Sequence, residues 1–303
     1  MKGNLLLSIS LLVLVTLVAA CGPATSPKPA EPTRAPSALP THTPIPIIPT
    51  PTPLPPPPTP TPLPTHTPAP EAAEATPALV VTDIMVEIPA GPFTMGTDSG
   101  EPNEAPAHEV DLPAFMIDKF EVTNADFAVF VKATGYETYA EKQGRTSWRA
   151  AYTEGKDNHP VVYVTFDDAL AYCTWAGKRL PTEAEWEKAA RGPDSFVFPW
   201  GDEWDTAKAN VKESGLRGTV AVGSYPPNGY GVCDMGGNVW EWVDAPYEAY
   251  SGSDYQDPKY SPDLRGLRGG GWFDDEEQVR ATNRNAGDPA ITANDDIGFR
   301  CAR

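Results

Sequence analysis

Basic residues are in short supply: 23 Lys and Arg face 41 Asp and Glu, a formal charge of −18 over 303 residues. A surface that tracks phosphates needs the opposite balance, so most nucleic-acid roles are excluded. Histidine and cysteine are scarce too, four of each. His42 and His66 lie in a proline-rich repeat, and His108 and His159 read as loop and strand-start residues. No serine triad, phosphate-binding loop or zinc-ligand spacing occurs. Long apolar runs are missing with one exception, Leu5–Ala20, which follows Lys2 and ends in Val18-Ala19-Ala20-Cys21. A bilayer span needs about 20 apolar residues. The shorter run with small residues at its end predicts a signal peptide over 1–20.

A cysteine at that boundary resembles the lipobox of bacterial lipoproteins. The resemblance implies a lipid on Cys21 and a mature protein outside the cytoplasm, anchored to a bacterial membrane at the cell surface or in the periplasm. Residues 21–78 are rich in Pro and Thr, and Leu39–Pro44 recurs as Leu63–Pro68. Such a composition cannot bury a core and favours extended polyproline II at about 3.1 Å per residue, a stalk. The first 78 residues hold Lys2, Lys28 and Arg34 against Glu31, Glu71 and Glu74, so the whole negative charge belongs to residues 79–303. That length suits one sizeable domain.

Within the domain, Tyr230–Val243 sets Asp234 and Glu241 either side of Gly236-Gly237 and interleaves Glu241 with Trp240 and Trp242. If extended, the piece puts both indoles on one face and the carboxylate on the other. A glycine pair lets carbonyls turn in beside the acids, and converging oxygens suit a hard cation such as calcium. A core strand with a polar hairpin tip is the plainer alternative. Val80–Met95 reads as a strand pair turning at Ala90–Pro92, Val110–Phe120 alternates, and His159–Val164 reads as a strand. Helices are predicted from Thr123-Asn124 to about Ala133, over Asp167–Ala176, and from the capping box Thr182…Glu185 to about Arg191. The sum is an α+β domain with about three helices, short strands and long ordered loops, which need a fastener: metals or a disulfide.

The motifs Met85–Gly96, Ile117–Asn124, Ala171–Glu187, Phe198–Asp202, Pro226–Gly231, Gly237–Trp242, Arg268–Trp272 and Gly298–Ala302, in that order, resemble the formylglycine-generating enzyme, or sulfatase-modifying factor, family. The resemblance implies a C-type-lectin-like fold and two calcium sites. One uses the side chains of Asp234 and Glu241 with the carbonyls of Gly237 and Val239. The other uses Asn210, the carbonyls of Val211 and Leu216, and Ser214 where the family has an acid. It also implies a disulfide between Cys173 and Cys301, leaving Cys233 as a small buried hydrophobe.

Enzymes of the family hold copper with two cysteines between the Arg-Gly-Gly-Ser segment and a later Ala-Arg segment. Here the window Trp272–Arg284 contains none; alignment on Arg284 and Pro289 places Glu276 and Ala281 at the two positions, and Gly271 stands for the usual serine. Soft Cu(I) needs thiolate or thioether, so copper is not expected. The expectation is a calcium-stabilised binding module for a protein or glycan outside the cytoplasm. Its candidate surface is Asp274–Asp296, with Glu276, Arg280, Asn283, Arg284, Asn285 and Asn294. The alternative is an enzyme of the formylglycine-generating oxidase family. Lipoproteins with this domain are also similar to the variable proteins of diversity-generating retroelements, whose diversified residues lie in this same window.

Overall fold

Threonines that cap helices punctuate the first half of the domain. Thr123, Thr165 and Thr182 each accept from the backbone N–H three residues on, and Asp126, Asp168 and Glu185 reach back. These reciprocal boxes satisfy donors that a helix start otherwise leaves open. A computed structural model describes residues 84–303; the expected signal peptide, the Cys21 lipid site and the stalk over 21–78 lie outside the described residues.

In chain order the elements are β1 (Met85–Ile88), β2 (Gly91–Met95), β3 (His108–Leu112), β4 (Phe115–Asp118), α1 (Asn124–Thr134), the single turns α2 (Tyr139–Lys142) and α3 (Trp148–Ala151), α4 (Phe166–Trp175), α5 (Glu183–Arg191), β5 (Trp240–Tyr247), β6 (Ser261–Arg268), the single turn α6 (Glu276–Val279), β7 (Asn285–Gly287) and β8 (Ile297–Gly298). The three long helices are those expected. The hairpin expected within 80–95 does not form. β1 pairs with β4 and β2 with β3, so 85–95 is one bent arm lying against 108–118. Pro89 cannot donate to a ladder, and Lys188 holds the bend through the carbonyls of Pro89 and Gly91 at 2.8 and 2.7 Å. His159–Val164 is not a strand either. It makes one bridge, Pro160 to Thr123, and Tyr163 then turns into the left-handed region at φ 59°.

The central sheet runs β7-β6-β5-β8, with β8 parallel to β5 and the other pairs antiparallel. Alternation along β5 divides the interior in two. Trp240 and Trp242 enter a core with Phe127 and Phe130 of α1, Tyr172 of α4 and Phe299. Val243 packs on the other side with Trp186 of α5, Ile88, Ile117 and Met235. The Phe127 ring meets those of Phe130, Trp148 and Tyr172 within 5.9 Å, pairings worth about 0.5–1.5 kcal/mol each beyond burial. Cys173 of α4 and Cys301 are disulfide-bonded inside this core with Cα atoms 5.7 Å apart.

Candidate functional site

The loop before β5 turns on residues held in the left-handed region, Asp234 at φ 57° and Gly237 at φ 77°. A Cβ at Gly237 would lie 2.5 Å from the carbonyl oxygen of Asn210, so the approach requires glycine. The loop brings Asp234 beside Glu241 of β5 and beside Glu121, a residue in the chain entering α1 that the sequence marked only as part of a motif. One cation serves all three. Arg300, fully buried, donates to both Glu241 oxygens at 2.7 and 2.6 Å and to the carbonyls of Asp118, Lys119 and Cys233. Glu241 also accepts from the Trp186 indole at 2.8 Å.

Charge here is under-compensated. Glu121 is fully buried; its Oε1 accepts from Asn238 at 2.8 Å, and its Oε2 has no partner. Burial, reinforced by Asp234, holds its carboxyl well above the usual range, and burial likewise raises Asp234. An orphaned buried carboxylate oxygen beside a second acid fits a hard cation. Glu121 and Asp234, two acids in hydrogen-bond contact with both carboxyls raised, are the side chains that would hold calcium here, the ion taking the place of a proton shared between them. Glu241 faces Arg300, and among the described residues no group of three or more His, Cys, Asp or Glu side chains is placed to hold a metal ion, so any calcium here would rest on two acids.

The second set does not call for a cation. Ser214 donates to Asn210 Oδ1 at 3.0 Å, and the Asn210 amide donates to the Gly218 carbonyl and Asn238 Oδ1 at 2.9 and 3.1 Å. Val211 is buried, Leu216 is 57% exposed, and there is neither a carboxylate nor an orphaned oxygen. Where the family has an acid, a hydroxyl closes the loop by hydrogen bonding instead.

In the window Trp272–Arg284, Glu276 is exposed at the start of α6, whereas Ala281 is fully buried against the core that holds Trp186. The free thiol among the described residues is Cys233, buried and pushed up to about 11 by burial and by Asp234. Such a thiol stays protonated at neutral pH. Carboxylates stand here instead. Asp274 Oδ2 accepts from the Trp240 indole at 2.7 Å and from Gly271 N at 2.8 Å. Asp296 Oδ1 is buried without a partner, and burial, with Asp274 and Asp295 nearby, raises this carboxyl to about 6. A Cβ on Gly271 would sit 3.0 Å from that of Asp296, which favours glycine. A raised carboxyl contributes stability that is present below about pH 4 and lost as pH rises through about 6. Asp296→Asn should therefore raise the melting temperature at pH 7 by about 2–4 °C and flatten its fall between pH 4 and 6. Thermal scans of both proteins across that range check it.

The candidate surface residues separate. Arg280 donates to Glu104 at 2.5 Å, and Asn283, 7% exposed, reaches the same carboxylate at 3.4 Å. Arg284 is buried, paired with Glu183 at 2.7 and 3.0 Å and stacked 3.9 Å over the Tyr250 ring. Both arginines belong to the scaffold because long-range carboxylates claim them. Asn285 is half-buried, and Glu276 and Asn294 are exposed. Between the 101–103 turn and this segment opens a cavity of about 390 Å³, onto which Trp240, Asn283, Arg284 and Asn285 face.

Residues 71–303 match the family described as sulfatase-modifying factor enzyme 1-like domain. The chain is 37% identical over 279 residues to the formylglycine-generating enzyme of Bos taurus, covering 72% of this chain and 74% of that one. It is 37% identical over 273 residues to the inactive C-alpha-formylglycine-generating enzyme 2 of the same animal, covering 72% and 87%. Among solved structures it is similar to PvdO from Pseudomonas aeruginosa, at 34% identity and TM-score 0.59 over 72% of this chain and 93% of that one. It also shares the fold of Treponema denticola variable protein 1, at 24% identity and TM-score 0.58 over 72% and 94%.

Proposed function

The chain belongs to the formylglycine-generating enzyme, or sulfatase-modifying factor, family and has its α+β, C-type-lectin-like fold, and from that premise we propose that this member is a recognition head without copper oxidase chemistry. One observation carries the reading. No cysteine lies between 234 and 300, Cys173 and Cys301 are bonded to each other, and the remaining thiol of the described residues is a single buried one. Cu(I) is soft and needs sulfur ligands; a lone protonated thiol does not supply a pair. One relative is itself named an inactive formylglycine-generating enzyme 2.

In this reading calcium steadies the head at Glu121, Asp234 and the loop carbonyls. A lipid on Cys21 and the proline-rich stalk hold it outside the cytoplasm, where it meets a protein or a glycan. Two metal titrations followed by thermal unfolding test the reading. At 100 times its Kd, calcium stabilises by about 2.7 kcal/mol, a rise of about 5–10 °C over the chelated protein. Glu121→Gln with Asp234→Asn should erase that rise. Melting that ignores both calcium and chelator removes the metal from the account, and stoichiometric tight Cu(I) binding contradicts the absence of an oxidase centre.

A further inference from the structure

We propose that His159 and Lys156 form a proton-operated latch on residues 219–223, the segment that ties down the buried acids Glu121 and Asp234. The backbone of that segment hangs on both. Val220 N donates to Asn238 Oδ1 at 2.9 Å, and Asn238 Nδ2 donates to Glu121 at 2.8 Å. Gly223 N donates to Asp234 Oδ2 at 2.6 Å. A Cβ at Gly223, which has φ 72°, would lie 2.6 Å from the Phe120 ring, so this approach to Asp234 needs glycine. Between the two bonds, Val222 N donates to the Asn158 carbonyl at 2.8 Å and joins the segment to the 156–159 turn.

The turn grips Thr219 through one ring nitrogen. His159 Nδ1 lies 3.0 Å from Thr219 Oγ1 and 3.2 Å from Lys156 Nζ, and Lys156 Nζ also donates to the Thr219 carbonyl at 3.4 Å. An ammonium donates and never accepts, so the nitrogen facing it carries a lone pair, and the ring is neutral with its proton on Nε2. Asp157, the neighbouring carboxylate, accepts from the Tyr152 hydroxyl at 2.7 Å instead. Burial, and after it Lys156, hold the half-buried imidazole below its ordinary value, and no acid is among the charges it feels. A proton on Nδ1 sets two cations at a separation now closed by a hydrogen bond, and it removes the acceptor that Thr219 and Lys156 share. Stability from a base held low in this way is present above about pH 6.5 and is lost as pH falls from there through the lowered value. The loss falls on 219–223, so acid loosens the segment from Glu121 and Asp234. The latch requires neither bound calcium nor a recognition role.

Amide hydrogen exchange of the metal-free, full-length protein tests it, because exchange reads local opening directly. Each rate is divided by its intrinsic chemical rate and compared between about pH 7 and about pH 5, either side of the ordinary histidine value. Protection at Val220, Val222 and Gly223 should fall about tenfold at the lower pH, as it does for a group whose proton affinity differs about tenfold between closed and open segment, while the amides of β5 and β6 hold. His159→Asn keeps an acceptor beside Thr219 and takes no proton, so its protection should be the same at both values. Lys156→Gln, which removes the opposing charge, should shrink the fall severalfold and serves as the deciding variant if His159→Asn does not fold. A fall that persists in full in these variants puts the proton on Glu121 or Asp234 and overturns the latch. Unchanged protection in the parent between the two pH values overturns it as well, and neither result bears on calcium or copper.

Discussion

Arg300→Met should destabilise the domain by about 3–5 kcal/mol, the cost of stranding a buried charge. The guanidinium is fully buried and closes Glu241 in a two-pronged pair. It is also the positive charge that Glu121 and Asp234 feel. Without it three carboxylates crowd one side of β5, and the carbonyls of Asp118, Lys119 and Cys233 lose their donor. Glu241→Gln added to Arg300→Met should recover part of the loss, because replacing both partners of a buried pair is far milder than removing one. Denaturant melts of the two single variants and the double give the coupling energy. A single Arg300→Met within about 0.5 kcal/mol of the parent, the range of ordinary surface changes, would mean that the arginine does not neutralise this cluster.

Replacing Cys173 and Cys301 together by alanine should cost about 4–5 kcal/mol on the loop-entropy scale for a closed loop of this length. The cysteines are 128 residues apart in sequence. The bridge fastens α4 to the end of the chain, where Cys301 N donates to Asp118 Oδ2 at 3.0 Å and Ala302 pairs with Arg179. Both sulfurs are buried beside Phe127 and Phe299, so a reductant should act only on unfolded molecules. Equal unfolding midpoints with and without reductant, at equilibrium, would show that the rest of the core suffices.

Local patterns in the chain were legible, and long-range partners were not. The Thr182…Glu185 box and the Trp240-Glu241-Trp242 alternation are decided by neighbours three residues or fewer apart, and both appear as read. The pattern starts α4 one residue late, at Asp167, because its capping box, Thr165 with Asp168, follows a buried extended segment that looks like a strand. Pairing of 85–95 with 108–118 depends on partners some twenty residues away, which no local alternation specifies. Arg284 and Asn283 read as surface residues because polarity suggests solvent; Glu183 and Glu104, 101 and 179 residues away, bury them. Glu121 lies in the Ile117–Asn124 motif, but nothing local to it signals a role at this site. Its importance comes from Asp234 and Arg300, which only the fold sets beside it, and the pairing of Asp274 with Asp296 around Gly271 was hidden for the same reason. The missing cysteine pair, by contrast, is a statement about composition and needed no structure.

The same absence sets the decisive measurement. Purified protein is incubated with Cu(I), oxygen and a peptide carrying Cys-x-Pro-x-Arg, and the peptide cysteine is followed by mass spectrometry. The account predicts that the cysteine persists at the rate of a control without protein. Conversion to formylglycine with multiple turnovers per protein molecule would contradict it.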